Sequence, residues 1–232
     1  MRRTLTLSVS TLISILVPAI LVVNCIRVLA NDWYIRFEYA KPDFPPDVYG
    51  FTPERRTELA LTGLHSVLPQ DGAGIDLLRL ARLPNGDPAF NERELGHMQD
   101  VRNLIGQVYP LHLIALAAIA ALALGLGRSA HMQRVVPRAL GGGAILTLII
   151  AAGLIAYILI NFQTFFTQFH RLFFEGDTWQ FQFTDTLIRL YPVRFWSDAA
   201  TYIGVGTVVQ ALALLVAANV WSRRGGNADK RG

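Results

Sequence analysis

Charged residues and cysteine are scarce in this 232-residue chain, and each scarcity excludes a class of protein. Only 16% of the residues are charged, well under the level of soluble domains, and the deficit falls in a few long apolar runs. The single cysteine, Cys25, excludes an internal disulfide framework and a metal site built from cysteines. A net charge of +4, spread along the chain, does not indicate nucleic-acid binding. The composition therefore indicates an integral membrane protein with no nucleic-acid partner.

Several motifs of well-known enzyme classes are also missing. The sequence contains no GxSxG nucleophile elbow, no phosphate-binding loop and no HExxH zinc pair. A zinc site built from two of the histidines would need a third or fourth ligand, such as Asp100, Asp177 or Asp185. Because none of these carboxylates stands at a diagnostic spacing, we predict no metal site and no cofactor.

Four apolar runs are long enough to cross a hydrocarbon core of about 30 Å as helices. We place the spans at residues 5–27, 110–127, 140–161 and 201–221. The first run has an alternative interpretation as a cleaved signal peptide, but its length and the position of Arg27 favour a retained span. The predicted fold class is all-α: a four-transmembrane-helix bundle with an extracytoplasmic helical layer formed by two outer connections. We treat the whole chain as a single membrane domain.

The distribution of basic residues predicts the orientation of the spans. Arginines fill the short loop 128–139, and further basic residues precede the first span and occupy the tail 222–232. The other two connections, the outer segments 30–109 and 162–200, hold 16 of the 17 acidic residues. We therefore expect a multi-pass protein of the bacterial cell membrane with both termini in the cytoplasm and both outer segments on the external side.

Local signals divide the first outer segment. The stretch that starts at Glu38 is rich in proline and aromatic residues, so we predict an irregular loop there. Thr52 followed by Pro53 predicts the start of a helix. Asn91 and Glu94 have the spacing of a capping box, which opens a second helix that we expect to end near Pro110 and to feed into the second span.

The histidines are the candidate catalytic residues, and their surroundings differ. His97 lies beside an apolar helical stripe, and helix geometry alone favours a structural role for it. His170 lies on a helix that carries many phenylalanines. An imidazole in such surroundings should have a lowered pKa, and the neutral ring is the form that a general base needs. His65, His112 and His131 are interpreted as residues of a helix surface, a span start and a cytoplasmic loop, without a chemical role.

Three stretches of the two outer segments carry a resemblance to a known family. They are NERELGHMQDVRNL at residues 91–104, FHRLFFEGDTWQF at residues 169–181 and LYPVRF at residues 190–195. In combination they resemble the motifs of the lipoprotein intramolecular transacylase family, called Lit. The plan of four spans with two outward connections also matches that family.

The resemblance implies an acyltransferase that works at the outer leaflet. Its substrate would be a diacylglyceryl lipoprotein among membrane lipids, and the sn-2 acyl chain would move to the α-amino group of the lipidated N-terminal cysteine. The product would be a lyso-form lipoprotein. The family's essential pair of histidines matches His97 and His170, which stand 73 positions apart. For this chemistry the two rings have to lie within roughly 6–8 Å of each other.

The division of roles between the two histidines stays open in the sequence. We favour His170 as the base on the amine and His97 as the acid or carbonyl-polarising group, although the reverse assignment and covalent catalysis through a histidine are alternatives. The candidate supporting or substrate-binding residues are Asp100, which would orient His97, Arg189, which would contact the oxyanion or the substrate backbone, and Arg171, Trp179, Phe169 and Phe173.

A hypothesis of a different class remains. The protein would be a non-enzymatic lipid-binding or assembly protein whose aromatic helix only recognises acyl chains or a partner. In that case changes at Phe169 and Phe173 would impair function, whereas both histidines would tolerate glutamine.

Overall fold

The computed structural model describes residues 2–125 and 132–228, which form nine helices, one isolated β-bridge between Arg82 and Pro88, and no strand. In chain order the helices are α1 (Arg2–Leu29), α2 (Asp32–Tyr39), α3 (Pro53–Val67), α4 (Asp76–Leu80), α5 (Glu92–Gly125), α6 (Met132–Ile160), α7 (Phe162–Phe173), α8 (Thr186–Leu190) and α9 (Val193–Ala228). Helices α1, α5, α6 and α9 are long and apolar enough to cross a membrane. The prediction of an all-α fold with four candidate spans is therefore confirmed.

Parts of three predicted segments fall outside the described residues, among them residues 126–127 of the predicted second span. Residues 128–131 of the predicted cytoplasmic loop, including Arg128 and His131, belong to this group, as do residues 229–232 of the predicted tail. The remainder of the predicted loop, from Met132 onward, forms the first turns of α6.

Two helix boundaries differ from the prediction. Helix α2 forms at residues 32–39, where no helix was predicted, and the irregular loop begins only after it. Its short aromatic sequence has little helical signal of its own, but the buried side chains of Tyr34 and Ile35 hold it in a core. The second correction concerns Pro110, which lies inside α5 and does not end it. A proline removes one backbone hydrogen bond, and apolar spanning helices tolerate that loss.

The chain divides into two compact units. The span unit consists of Met1–Ile26, Pro110–Ile160 and Tyr202–Gly232, and the connection unit consists of Arg27–Tyr109 and Asn161–Thr201. The two outer segments of the sequence therefore fold together, and the connection unit contains both candidate histidines.

Small residues allow close helix packing in the span unit. A Cβ atom added at Gly143 of α6 would lie 2.7 Å from Cβ of Val17 and 3.1 Å from the carbonyl oxygen of Ser14, both on α1. The Ser14 hydroxyl also donates a hydrogen bond of 2.9 Å to the carbonyl of Ala139. Only a glycine permits this approach of the two backbones.

Polar side chains link three helices of the span unit. Asn24 of α1 donates a hydrogen bond of 2.9 Å to Gln210 of α9, and His112 of α5 donates one of 2.9 Å to the amide oxygen of Asn24. His112 therefore joins helices at the start of its span, which fits the structural role predicted for it.

The connection unit has its own hydrophobic core, which explains why its two segments fold together. The buried core residues are Tyr34, Ile35, Leu59, Ala60, Val67, Ile75, Leu78, Ala89, Phe90, Leu95, Met98, Leu187, Leu190, Phe195 and Ala199. They come from α2, α3, α4, α8, the first turns of α5 and α9, and the loops between them. Leu95 and Met98 belong to the apolar stripe of α5, so burial of this stripe orients the remaining faces of the helix.

Candidate active site

Helix α7 positions His170 in its last turn. The helix begins at Phe162 because the Asn161 side chain caps it, accepting a hydrogen bond of 2.9 Å from the backbone N–H of Thr164. His170 is the only residue of α7 that is buried, and it is 9% exposed. The Nδ1 atom lies 2.8 Å from the carbonyl oxygen of Phe166, one turn earlier. Since a carbonyl oxygen only accepts, Nδ1 carries the proton in the neutral ring and Nε2 keeps the lone pair.

The first turns of α5 position His97. The predicted capping box forms: the side chain of Asn91 accepts from the N–H of Glu94 at 3.0 Å, and the Glu94 carboxylate accepts from the N–H of Asn91 at 2.8 Å. The second oxygen of Glu94 accepts from the N–H of Leu187 at 2.6 Å. Glu94 is 1% exposed, so this carboxylate ties the start of α5, one turn before His97, to the start of α8.

The fold brings the two candidate histidines together. The ring centroids of His97 and His170 lie 5.9 Å apart, and the ring planes are inclined by 30°. Both residues are buried, with His97 only 8% exposed. The predicted proximity of the two rings is therefore confirmed, although the residues come from different helices of the connection unit. Their catalytic roles stay a prediction.

Aromatic rings surround both imidazoles. His170 has Phe166 at 4.1 Å, Trp179 at 5.0 Å and Phe174 at 5.6 Å between ring centroids. His97 has the same Phe174 at 5.0 Å and Phe181 at 5.4 Å. Phe174 thus touches both histidines. Apart from the contact between the two imidazoles, the rings that contact them are those of phenylalanine and tryptophan.

Burial keeps both imidazoles neutral near pH 7. The pKa of His97 is lowered to about 4, first by burial and then by repulsion from the charge that His170 would carry. Burial also lowers the pKa of His170, against the opposing effect of its hydrogen bond to the Phe166 carbonyl. Both residues lie outside the apolar segment 110–127. A neutral ring that keeps a lone pair is the form that accepts a proton.

His97 has a buried ring nitrogen without a partner. Its Nδ1 atom makes no hydrogen bond to any of the described residues. Buried polar atoms of native proteins are nearly always paired, and exceptions need an explanation. At a site of two adjacent imidazoles, a group of a bound substrate is a chemically sensible partner.

The other candidate polar residues do not join the histidine pair. Asp100 is half-buried and forms no hydrogen bond to Nδ1 of His97, so no hydrogen bond there supports the orienting role predicted for Asp100. The side chain of Arg171 is exposed. Arg189 donates two hydrogen bonds, of 2.9 and 3.0 Å, to the buried carboxylate of Asp47 and stacks 3.5 Å from the centroid of Phe51. These contacts hold the proline-rich loop against α8.

The aromatic candidates lie at or near the site. The Trp179 ring is 9% exposed and covers His170. Phe169 lies 5.6 Å from His170, and Phe173 lies 4.9 Å from Phe169. Unlike Trp179, these two phenylalanines are 41% and 45% exposed, so α7 leaves part of its aromatic face open.

Sequence reasoning did not include Phe174, Phe181 or Glu94 among the site residues. The two phenylalanines lie in the segment 174–185, which forms neither helix nor strand; the alternation of WQFQF at residues 179–183 suggests an extended piece but not which groups Trp179 and Phe181 would face. The capping box identified Glu94, but its contact with Leu187 spans 93 positions and leaves no local signal.

The arrangement does not resemble a metal centre. Within residues 2–125 and 132–228, no group of three or more His, Cys, Asp or Glu side chains has the geometry to hold a metal ion. Two imidazoles alone fill only two of the four positions of a tetrahedral zinc site.

Three comparisons place the chain among known proteins. A family model described as "Lipoprotein intramolecular transacylase Lit" matches residues 9–196. A protein of Aquifex aeolicus (strain VF5), described only as "Uncharacterized protein", is 29% identical over 198 residues, which is 85% of this chain and 87% of that protein. Among solved structures, the integral membrane transacylase Lit of Bacillus cereus has a TM-score of 0.72 at 23% identity, with 94% of this chain and 97% of that chain covered. A variant of the same Bacillus cereus protein, with one histidine replaced by alanine, has a TM-score of 0.67 at 22% identity, with 97% and 98% covered.

Proposed function

The chain belongs to the lipoprotein intramolecular transacylase family, which consists of membrane acyltransferases, and on that premise we propose the reaction that its site performs. The protein moves the sn-2 acyl chain of a diacylglyceryl lipoprotein to the α-amino group of the lipoprotein's N-terminal cysteine. The observation that carries the proposal is the pair of neutral, buried imidazoles, His97 and His170, with ring centroids 5.9 Å apart. A reacting group at the edges of both rings, where the ring nitrogens lie, would be within hydrogen-bond reach of both.

His170 acts as the base. Its Nδ1–H is held by the Phe166 carbonyl, so its Nε2 lone pair is left for the substrate. The incoming α-amino group has an ordinary pKa of about 8 and is mostly protonated at pH 7. The ammonium group first loses one proton to solvent; as the neutral nitrogen bonds to the ester carbonyl carbon, Nε2 takes a second proton from it, and the hydrogen bond to Phe166 then stabilises the imidazolium.

His97 polarises the ester carbonyl. With a pKa of about 4 it stays neutral at pH 7, so it serves as an N–H donor rather than as a cationic acid. The negative charge that develops on the carbonyl oxygen accepts this hydrogen bond in an apolar pocket, where such a bond is stronger than in water. The bond from the carbonyl carbon to the glyceryl oxygen then breaks, and the glyceryl alkoxide takes the proton from His170.

The reaction needs no acyl carrier, because donor and acceptor belong to one substrate molecule. Holding the amine near the ester supplies several kcal/mol of the barrier through orientation alone. The products are an N-acyl amide and a free sn-2 hydroxyl, which together make the lyso-form lipoprotein.

We place this reaction at the outer leaflet, with both termini in the cytoplasm. The support is the distribution of charge: the two segments that build the connection unit carry 16 of the 17 acidic residues, whereas the other connections are basic. Since the single native cysteine, Cys25, is buried, new cysteines can test the orientation. A membrane-impermeant maleimide should label an Asn85→Cys variant on intact cells and should not label an Arg134→Cys variant. The opposite labelling would refute the orientation.

The lipid form of a reporter lipoprotein tests the function. In a host that carries this chain, we expect His97→Ala and His170→Ala each to abolish the N-acylated lyso form, as read by mass spectrometry of the N-terminal peptide. His65→Ala is the matched control, because His65 is half-exposed and pairs with Asp32. Unchanged N-acylation in both variants, with normal membrane insertion, would refute the assignment. Glutamine variants that retain full function would favour the non-enzymatic lipid-binding alternative.

A further inference from the structure

We infer that Trp179, held over His170 by the segment 174–185, makes this site transfer its acyl group to an amine and not to water. The inference rests on the proposed function and adds to it a specificity-determining residue. The juxtaposition that carries it is an indole ring on one imidazole and two phenylalanine rings on the other, all from one irregular segment of the connection unit.

The chemistry of the histidine pair does not by itself select the acyl acceptor. A lone pair on Nε2 of His170 can accept the proton of an attacking water as well as that of an attacking amine, and a donor on His97 polarises the same carbonyl in either case. With water as the nucleophile, its oxygen bonds to the carbonyl carbon and one of its protons goes to His170. The glyceryl oxygen leaves and takes that proton, which yields a free fatty acid and a lyso-lipoprotein with an unmodified amine. Exclusion of water from the two rings therefore adds to the orientation of the amine in favouring transfer over hydrolysis.

Helix α7 alone does not exclude water. It contributes Phe166 and Phe169 to the surroundings of His170, but Phe169 is 41% exposed, so this side of the helix stays open. The cover comes from the segment 174–185, whose Trp179 is 9% exposed. Phe174 and Phe181 of the same segment complete the cover over His97.

The segment is built to hold the indole in place. Gly176 has a φ of +68°, a conformation that other residues rarely adopt, although a Cβ atom there would meet nothing within 4 Å. The indole N–H of Trp179 donates to the carbonyl of Gly176 at 3.3 Å, which closes the turn. At the next residue in the chain, the carbonyl of Gln180 accepts a hydrogen bond of 3.2 Å from Arg93, in the first turn of α5. This hydrogen bond from Arg93 therefore ties α5, the helix that carries His97, to the segment that covers His170.

The test measures how the acyl group is partitioned between amine and water. Purified full-length protein is incubated with a synthetic diacylglyceryl lipopeptide in water enriched in oxygen-18, and mass spectrometry follows the products. We expect the wild-type chain to give almost only the N-acyl peptide. Trp179→Ala should raise the ratio of free fatty acid to N-acyl peptide at least tenfold, with one oxygen-18 atom in the released acid. The double variant Trp179→Ala/His170→Ala should form neither product.

Two further variants separate water exclusion from a general loss of folding. Arg93→Gln changes no aromatic ring and removes only the exposed hydrogen bond from the Arg93 guanidinium to the Gln180 carbonyl, so we expect a smaller rise of the ratio of free fatty acid to N-acyl peptide. Trp33→Ala is the matched control: Trp33 is half-exposed, contacts Tyr34 and Phe37, and should leave the ratio unchanged.

The outcomes that overturn the inference differ from those that overturn the proposed function. Loss of transfer in Trp179→Ala without any fatty acid, or an equal rise in the Trp33→Ala control, would show that Trp179 does not select the acceptor. Hydrolysis that persists in the double variant would show that the histidines do not activate the water. If wild-type protein and both single histidine variants form the same products, the proposed function itself fails.

Discussion

Lowering the pH is the perturbation that most directly tests the two neutral imidazoles. At pH 5 a ring with a pKa of about 4, such as His97, is still about 90% neutral, whereas a ring with the ordinary pKa of about 6.5 is only about 3% neutral. Between pH 7 and pH 5 the neutral fraction of the ring therefore falls by about 10% in the first case and about 25-fold in the second, apart from the titration of the substrate amine.

The two rings titrate as a pair, so the profile reports macroscopic pKa values. The pKa of His170 is lowered by burial as well, and the acid limb of ester turnover should therefore have its midpoint below pH 6.5. The sign follows from the charges: burial disfavours the imidazolium, and the base is lost only when the pH falls through this lowered pKa. The assay is kcat/KM for total ester turnover of a diacylglyceryl lipopeptide between about pH 4 and pH 8.

A variant separates the enzyme's titration from that of the substrate. Removing the indole in Trp179→Ala admits water to His170, so the acid limb should move upward toward pH 6.5. A limb near about pH 8 belongs to the substrate amine and should stay where it is in both proteins. An acid limb of the wild-type chain at or above pH 6.5 that belongs to the enzyme would refute the reasoning about burial.

Two stability predictions come from paired sites. Glu94→Gln should cost about 1–3 kcal/mol of unfolding free energy and lower the thermal unfolding midpoint, because one buried backbone N–H would face an amide donor instead of a carboxylate. Glu92→Gln, on the exposed side of the same turn, should leave the midpoint unchanged, and equal midpoints for the two variants would contradict this prediction. Gly143→Ala should cost about 1–3 kcal/mol of unfolding free energy, measured in detergent, since its Cβ would lie 2.7 Å from Cβ of Val17. In the control Gly153→Ala, the added Cβ meets nothing within 4 Å, so stability should be unchanged or increased; a Gly143→Ala protein as stable as wild type would disprove the close approach.

Features that depend on neighbours within one or two turns were predicted from the sequence. The capping box of Asn91 and Glu94 and the cap at Thr52 involve atoms three residues apart, so residue types and spacing suffice to identify them. The four candidate spans follow from the length and apolar character of their runs, because a bilayer requires a continuous helix of that length. The pairing of His97 with His170 was expected only through the resemblance to a family, since no local pattern relates residues 73 positions apart.

What the tertiary structure decided depends on contacts between distant parts of the chain. Burial of Tyr34 and Ile35 in a shared core, and not helix propensity, accounts for α2. Arg189 forms an ion pair with Asp47, which lies 142 positions away, so no local sequence pattern indicated this contact.

The same distinction applies to the site. Composition and periodicity place an imidazole among phenylalanines on α7, but they do not say which rings cover it. Trp179, Phe174 and Phe181 reach the two histidines from an irregular segment, where the alternation of WQFQF does not say what its aromatic side chains contact. The sequence by itself therefore determined the membrane class, the four spans and His170 as a candidate base. Packing over long sequence separations decided how the two histidines are paired, kept neutral and buried.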